Sequence, residues 1–133
     1  GLRVAAVHAG IAGTVTGIVR ETVIAMRKLG AENGKIYAAI GPAICGACYE
    51  VPEAMRRHVT GHVPAAWSRT REGSPGLDLK AGVISQLRAA GARITFVSKR
   101  CTFEDRNLYS YRRDNATGRF AGIILGKTKL TSG

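Results

Sequence analysis

The residues best suited to chemistry lie near the start of the chain, where a histidine stands between an apolar run and two glycines. His8 follows residues 4–7, and Gly10 and Gly13 follow His8. A short apolar run predicts a buried strand, and glycines permit a tight turn into a helix whose first N–H groups can bind an anion. We therefore interpret His8 as a site residue at a sheet edge, with Gly10 and Gly13 as phosphate-binding candidates. A purely structural histidine is the alternative.

Two of the three cysteines form a Cys-x-x-Cys pair. Cys45 and Cys48 follow a predicted strand and precede a predicted helix, which is the setting of a thioredoxin-like redox pair or of half a zinc site. Pro52 delays the start of that helix, so its dipole would do little to lower a thiol pKa, and Cys101 is isolated in the sequence. We therefore expect a reduced, catalytically idle pair in a structural turn.

Two further groups of residues have spacings that could serve a site. His58 and His62 are four apart, as metal ligands on a helix can be, but Gly61 is predicted to break that helix, which favours two surface histidines. Arg112 and Arg113 belong to a predicted hairpin near the end of the chain. Their guanidinium groups suit phosphate or carboxylate, and a solvated hairpin is the alternative.

Composition narrows the class of partner. The 133 residues fit one domain, and the net charge of +11 favours an anionic partner. Because the basic residues are scattered and aromatic residues make up only 6%, we expect a small anionic ligand rather than nucleic acid. No apolar run approaches the ~20 residues of a membrane span. An odd number of cysteines and no visible signal peptide favour a reducing, cytoplasmic compartment.

The elements that must position these residues follow from periodicity and from turn residues. Thr14, Gly30 and Asp78 are predicted to cap helices. Their order predicts an α/β (α+β) layered domain in which a mixed β-sheet packs with helices. We expect strands near residues 2–8, 35–41, 92–98 and 119–125, helices at 14–29, 52–60 and 79–90, an irregular mobile segment at 61–77, and a hairpin of 109–113 with 119–125.

Several blocks of the chain together resemble the laccase-domain (YfiH-like) family, also described as multicopper polyphenol oxidase, purine nucleoside phosphorylase family protein or peptidoglycan editing factor. The first block is Val4-Ala-Ala-Val-His-Ala-Gly10 with Gly13-Thr14, and the second is Ile40-Gly-Pro-Ala-Ile-Cys-Gly-Ala-Cys-Tyr-Glu-Val51. Further matching blocks lie at residues 77–80, 101–102, 109–114 and 117–122. The blocks span almost the whole chain in the family's order.

The resemblance implies a zinc-dependent enzyme that cleaves inosine, adenosine, guanosine and methylthioadenosine with phosphate and that deaminates adenosine. It implies His8 as one of three zinc ligands, with the other two upstream of Gly1, so that residues 1–133 correspond to the C-terminal part of a longer domain. The expected partners are a purine nucleoside and phosphate, without a membrane. A homo-oligomer is compatible with the sheet edge that we expect the chain to expose.

The chain departs from the family pattern at three points. Ile11 and Ala12 stand where the family often has Trp and Arg, and the cysteine pair is spaced differently.

Other functions stay open. A peptidoglycan-precursor editing amide hydrolase is an alternative, as is a non-catalytic binding module for anionic ligands. A polyphenol oxidase (laccase) with copper fits less well than zinc, because three histidines cannot supply the ligands of several coppers.

Overall fold

The fold is known from a computed structural model that describes residues 3–32, 34–119 and 121–125. The predicted mixed α/β class is confirmed, although the strands form two small sheets. The described residues form helices α1 (Ile11–Thr16), α2 (Ile18–Lys28), α3 (Glu53–His62), α4 (Leu79–Ala89) and α5 (Tyr111–Asp114), a 3-10 turn (Pro64–Ala66), and strands β1 (Tyr37–Ile40), β2 (Trp67–Arg69), β3 (Pro75–Leu77) and β4 (Arg93–Val97).

The two sheets each contain two strands. Strand β1 pairs with β4 in parallel, with Tyr37 opposite Arg93 and a register shift after Ala38. Strands β2 and β3 form an antiparallel hairpin in which Trp67 faces Leu77. Because β1 and β4 are parallel, the segments that leave their carboxyl ends emerge at the same edge.

Helix ends follow the capping residues that the sequence offers. Asp78 caps α4 as predicted, because its Oδ1 accepts a 2.9 Å hydrogen bond from the N–H of Ala81. Gly30, with φ of 104°, ends α2 as predicted. The N–H of Ala31 donates to Met26 and the N–H of Gly30 to Arg27, which is the Schellman arrangement of a left-handed C-terminal glycine.

The predicted helix over 14–29 is wrong at its start. It begins three residues earlier at Ile11, with Gly10 as the N-cap, and divides into α1 and α2 at Gly17. Gly17 adopts φ of 85°, a left-handed conformation that stops a helix and that glycine tolerates best. Thr14 is therefore not a cap, and lies fully buried inside α1.

Two apolar clusters stabilise the fold. Val19 and Val23 of α2 are buried as the helical stripe predicted, but Val23 packs against residues that flank β1 and β4 and against α4 rather than on the face of a broad sheet. The cluster around α3, β3 and α4 comprises Val51, Val59, Val63, Ala66, Leu77 and Leu79, and the cluster around α2 comprises Val23, Ile36 and Ala92 with Met26, Ala31, Leu87 and Ala90 beside them.

The two terminal strand predictions are wrong for the described residues. Residues 3–8 and 121–125 form no strand, and exposed apolar side chains such as Val4 and Leu125 lie in these segments. Neither segment has a strand beside it among the described residues, and an apolar run becomes a strand only when another strand pairs with it. Gly1, Leu2 and Phe120 lie outside the described residues. In place of the C-terminal hairpin, Ser110 caps the short helix α5.

The segment predicted to be irregular at 61–77 is ordered. Helix α3 continues through Gly61 to His62, and the 3-10 turn and the β2–β3 hairpin follow. His58 and His62 therefore share one helix, with ring centroids 5.3 Å apart, and both are exposed as predicted. No helix in the described parts of the chain is long and apolar enough to cross a bilayer.

Candidate functional site

The densest group of potential ligands is one that the sequence did not predict. The sulfur atoms of Cys45, Cys48 and Cys101 and a carboxylate oxygen of Glu104 all lie within 4.8 Å of one another. All three cysteines are free. The expectation that Cys101 is isolated is therefore wrong, because the fold carries it to the Cys-x-x-Cys turn.

Parallel pairing of β1 and β4 explains how these side chains meet. Cys45 lies a few residues after β1, and Cys101 lies a few residues after β4. A bridge between Ala43 and Cys101 prolongs the pairing beyond the strands, and the N–H of Cys45 donates a 3.3 Å hydrogen bond to Sγ of Cys101. The sequence did contain a signal for this cluster, because each of two predicted strands is followed within a few residues by a cysteine.

The hairpin braces the turn that carries Cys45 and Cys48. The hydroxyl of Ser68 donates to the carbonyl of Gly46 at 2.9 Å, and a Cβ at Gly46 would lie 2.5 Å from that hydroxyl oxygen. The turn itself closes through the N–H of Cys48, which donates to the carbonyl of Cys45 at 3.1 Å. A residue without a side chain is therefore needed at position 46 for the hairpin to approach so closely.

The thiols have different electrostatic surroundings. The pKa of Cys48 is raised to about 12, mainly by burial and next by the hydrogen bond to the Glu104 carboxylate. Burial also raises the pKa of Cys45. Burial acts in the same direction on Cys101, but N–H donors from the backbone of Cys45 and Glu104 outweigh it and lower the pKa of Cys101. Burial therefore favours the neutral thiol form of Cys45 and Cys48.

Glu104 and Arg71 complete the cluster on its exposed side. Sγ of Cys48 donates to Oε1 of Glu104 at 3.0 Å, and Nη2 of Arg71 forms an ion pair with the same oxygen. These bonds, first the one from Cys48 and then the one from Arg71, lower the pKa of Glu104. Three sulfurs and a carboxylate in this arrangement could hold a metal ion.

His8 lies apart from this cluster, beside a large open cleft. The cleft has a volume of about 780 Å³ and is lined by His8, Tyr109, Tyr111 and the loop 115–119. His8 is exposed, and its imidazole takes part in no group of three or more metal-ligating side chains within the described residues. Nothing in the sequence pattern indicated that Tyr109 and Tyr111 would lie beside this histidine.

The two glycines that follow His8 allow the chain to turn closely around it. A Cβ at Gly10 would lie 3.3 Å from Nε2 of His8, and a Cβ at Gly13 would lie 3.5 Å from the carbonyl oxygen of His8. The N–H of Thr14 donates to the carbonyl of Gly10 at 2.9 Å. The structure therefore brings His8, Gly10 and Gly13 together, as the sequence indicates.

The structure does not bring the two arginines to the same place. Arg112 lies 4.8 Å over the ring of Tyr49 and lines a different cavity, of about 410 Å³. Arg113 instead donates to the carbonyl oxygens of Thr102, Phe103, Asp105 and Leu108. Arg113 thus holds the 102–108 segment in place, while Arg119 is the arginine beside His8 in the cleft.

Comparison with known sequences gives one consistent set of relatives. The model of the family described as multi-copper polyphenol oxidoreductase laccase matches residues 1–127. Purine nucleoside phosphorylase ORF3 of Streptomyces griseus is 50% identical over 91% of this chain and 49% of the relative. A purine nucleoside phosphorylase of Corynebacterium glutamicum is 46% identical over 91% of this chain and 49% of the relative. The chain spans about half the length of these curated relatives.

Solved structures show the same fold. A Neisseria meningitidis protein superposes with a TM-score of 0.71 at 30% identity, covering 84% of this chain and 46% of that one. The YfiH protein of Bacillus licheniformis superposes with a TM-score of 0.67 at 34% identity, covering 81% of this chain and 43% of that one. The chain therefore belongs to the multi-copper polyphenol oxidoreductase laccase family, which includes the YfiH-like proteins.

Proposed function

We propose that this chain forms one part of a purine nucleoside phosphorylase and that the cleft beside His8 is its nucleoside site. The observation that carries the proposal is the lining of this cleft, in which an imidazole, two phenol rings and a guanidinium group face one space. The names of the relatives from Streptomyces griseus and Corynebacterium glutamicum support the same activity.

The lining residues match the chemical parts of a nucleoside and phosphate. Tyr109 and Tyr111 are exposed and offer flat faces on which a purine base can stack. Arg119 offers a forked donor for phosphate, and the turn at Gly10 and Gly13 offers backbone N–H groups for a second contact. In the proposed reaction a phosphate oxygen bonds to C1′ of the ribose, the C1′–N9 bond breaks, and the purine leaves with a proton.

A zinc ion at His8 is part of this proposal. The exposed imidazole beside the cleft fits the role of one ligand, but a zinc site needs at least three protein ligands, and within the described residues His8 belongs to no group of three such donors. The remaining ligands must come from further residues, as the family resemblance implies. When bound, zinc supplies an electrophile that polarises a substrate oxygen or a water, which would also serve the deamination of adenosine.

Replacing the matching region of a relative tests the proposal. We expect a chimaera in which this chain takes the place of the matching 121 residues of the Streptomyces griseus protein to release hypoxanthine from inosine only when phosphate is present. His8→Ala should lower kcat by about 100-fold or more, the size of effect expected for a group at the reacting centre. His58→Ala, on the exposed face of α3, is the matched control and should retain activity.

Two outcomes would contradict the proposal. One is hypoxanthine release that does not depend on phosphate, and the other is full activity after His8→Ala in a chimaera that is folded by circular dichroism. Adenosine as substrate distinguishes the two proposed activities, because deamination yields inosine whereas phosphorolysis yields adenine.

A further inference from the structure

We propose that Cys45, Cys48, Cys101 and Glu104 form a second metal site, separate from His8, that binds zinc. This proposal does not depend on the proposed nucleoside chemistry, since none of its four ligands lines the cleft beside His8. Its role is to fasten the ends of β1 and β4 to each other.

The distances suit a tetrahedral ion. The four ligand atoms lie within 4.8 Å of one another, and a Zn–S bond of ~2.3 Å separates two sulfur ligands by about 3.8 Å in a tetrahedron. Sγ of Cys48 and Oε1 of Glu104 are already 3.0 Å apart, and Sγ of Cys45 lies 3.5 Å from the same oxygen. Small side-chain rotations therefore complete the coordination without a change in the backbone.

The donor atoms select the class of metal. Calcium and magnesium are bound by oxygen ligands, so a site with three sulfur ligands suits neither ion. Thiolates favour zinc and cuprous ions, and the carboxylate of Glu104 as a fourth ligand favours zinc, which accepts sulfur and oxygen together in a tetrahedron.

The surroundings of the four ligands hold them in position and balance their charge. The N–H of Cys45 donates to Sγ of Cys101, and hydrogen bonds of this kind orient the side chains that bind a metal. Three thiolates and a carboxylate exceed the charge of one divalent ion, and the guanidinium of Arg71, 3.3 Å from Sγ of Cys48 and paired with Glu104, supplies compensating positive charge.

The site also has an open side through which an ion can enter. Cys101 is buried at the base, Cys45 and Cys48 are half-buried, and Glu104 is exposed. Because the Ser68 hydroxyl already holds the turn at Gly46, ion binding stiffens the exposed side and joins two segments that are distant in sequence, 45–48 and 101–104.

Cobalt and zinc titrations of the reduced, metal-free 133-residue chain test this proposal. We expect one equivalent of Co²⁺ to produce a sulfur-to-cobalt charge-transfer band together with the visible bands of tetrahedral cobalt, and one equivalent of Zn²⁺ to abolish both. Cys48→Ser, Cys101→Ser and Glu104→Gln should each weaken zinc binding by at least about 10–100-fold, a loss that follows even when a residue that only hydrogen-bonds to a ligand is replaced. His58→Ala, on the exposed face of α3, is the control and should bind with unchanged affinity.

Each remaining outcome overturns the assignment. Cobalt spectra without the sulfur band, binding that survives both serine variants, or binding that His8→Ala removes would place the ion elsewhere. A disulfide between Cys45 and Cys48, found by mass spectrometry in reduced protein exposed to air and to zinc together, would assign the cluster to redox chemistry instead. Circular dichroism of each variant keeps loss of fold distinct from loss of a ligand, and Glu104→Gln changes an exposed residue that the core does not need.

Discussion

The backbone N–H of Cys45 donates a hydrogen bond to Sγ of Cys101, at 3.3 Å. This bond joins the segment after β1 to the segment after β4 and fixes the relation between the two halves of the cysteine cluster. The integrity of the cluster therefore depends on backbone packing, which stability measurements can test without any metal.

Gly46→Ala should destabilise the chain. The new Cβ would lie 2.5 Å from Oγ of Ser68 and 2.9 Å from Cβ of Asp78, and such overpacking costs about 1–3 kcal/mol of unfolding free energy. Gly61→Ala is the matched control, because nothing lies within 4 Å of its Cβ position and alanine stabilises a helix by up to about 1 kcal/mol relative to glycine. Urea unfolding measures both, and equal effects would contradict the close approach at Gly46.

Arg113→Lys should destabilise the chain more than Arg112→Lys does. Arg113 donates to four backbone carbonyl oxygens, and a lysine cannot reach them all, so we expect a loss of about 2 kcal/mol. The Arg112 guanidinium stacks on Tyr49, an exposed contact worth only about 0.5–1 kcal/mol. Thermal unfolding of the two variants measures the difference, and a larger loss for Arg112→Lys would refute the bracing role of Arg113.

Acid should remove the stabilisation that Asp114 provides. The Arg113 guanidinium holds the pKa of Asp114 below its usual value, so the ion pair contributes its full stability above the unfolded-state pKa of about 3.9. That contribution is lost as pH falls through the lower folded-state pKa. The melting temperatures of wild type and Asp114→Asn should therefore differ at neutral pH and converge in acid. A difference in melting temperature that grows as pH falls would contradict a stabilising ion pair between Asp114 and Arg113.

Leu77→Ala should lower the stability of the chain far more than Leu125→Ala does. Leu77 is fully buried in the cluster around α3 and α4, where removing a leucine costs about 3–5 kcal/mol. Leu125 is 83% exposed, and substitutions at such positions stay within about 0.5 kcal/mol. Denaturant midpoints compare the same chemical change at both sites, and a similar loss at Leu125 would show that residues 121–125 are packed.

Local signals predicted helices α2 to α4 and the paired strands β1 and β4, whereas the strand predictions for residues 3–8 and 121–125 were wrong. Asp78 and Gly30 fixed helix ends through contacts within a few residues, and the spacing of Val19 and Val23 identified a buried helix face. By contrast, residues 3–8 have the apolar run of a strand but no partner in the described chain. The β2–β3 hairpin consists of three-residue strands, too short to show an alternating pattern.

The local geometry around the candidate sites was predicted in part, for the same reason. The turn geometry at His8 and Gly10 follows from adjacent residues, so the sequence indicated it. The contact of Cys101 with Cys45 depends on parallel pairing of strands far apart in the chain, which local patterns do not report. Arg113 has several carbonyl partners, and only the folded path of residues 102–108 reveals them.

The parallel pairing of β1 and β4 also determines when in folding the cysteine cluster can form. Residues 41–92, with α3, the hairpin and α4, separate these strands, and long-range parallel pairs form slowly because the intervening loop must close first. Helix α3 and the hairpin form from closer contacts and can precede them. Cys101 therefore meets Cys45 and Cys48 only at a late step, so that its thiol stays apart from the other two, and open to alkylating reagents, until the rest of the chain is native.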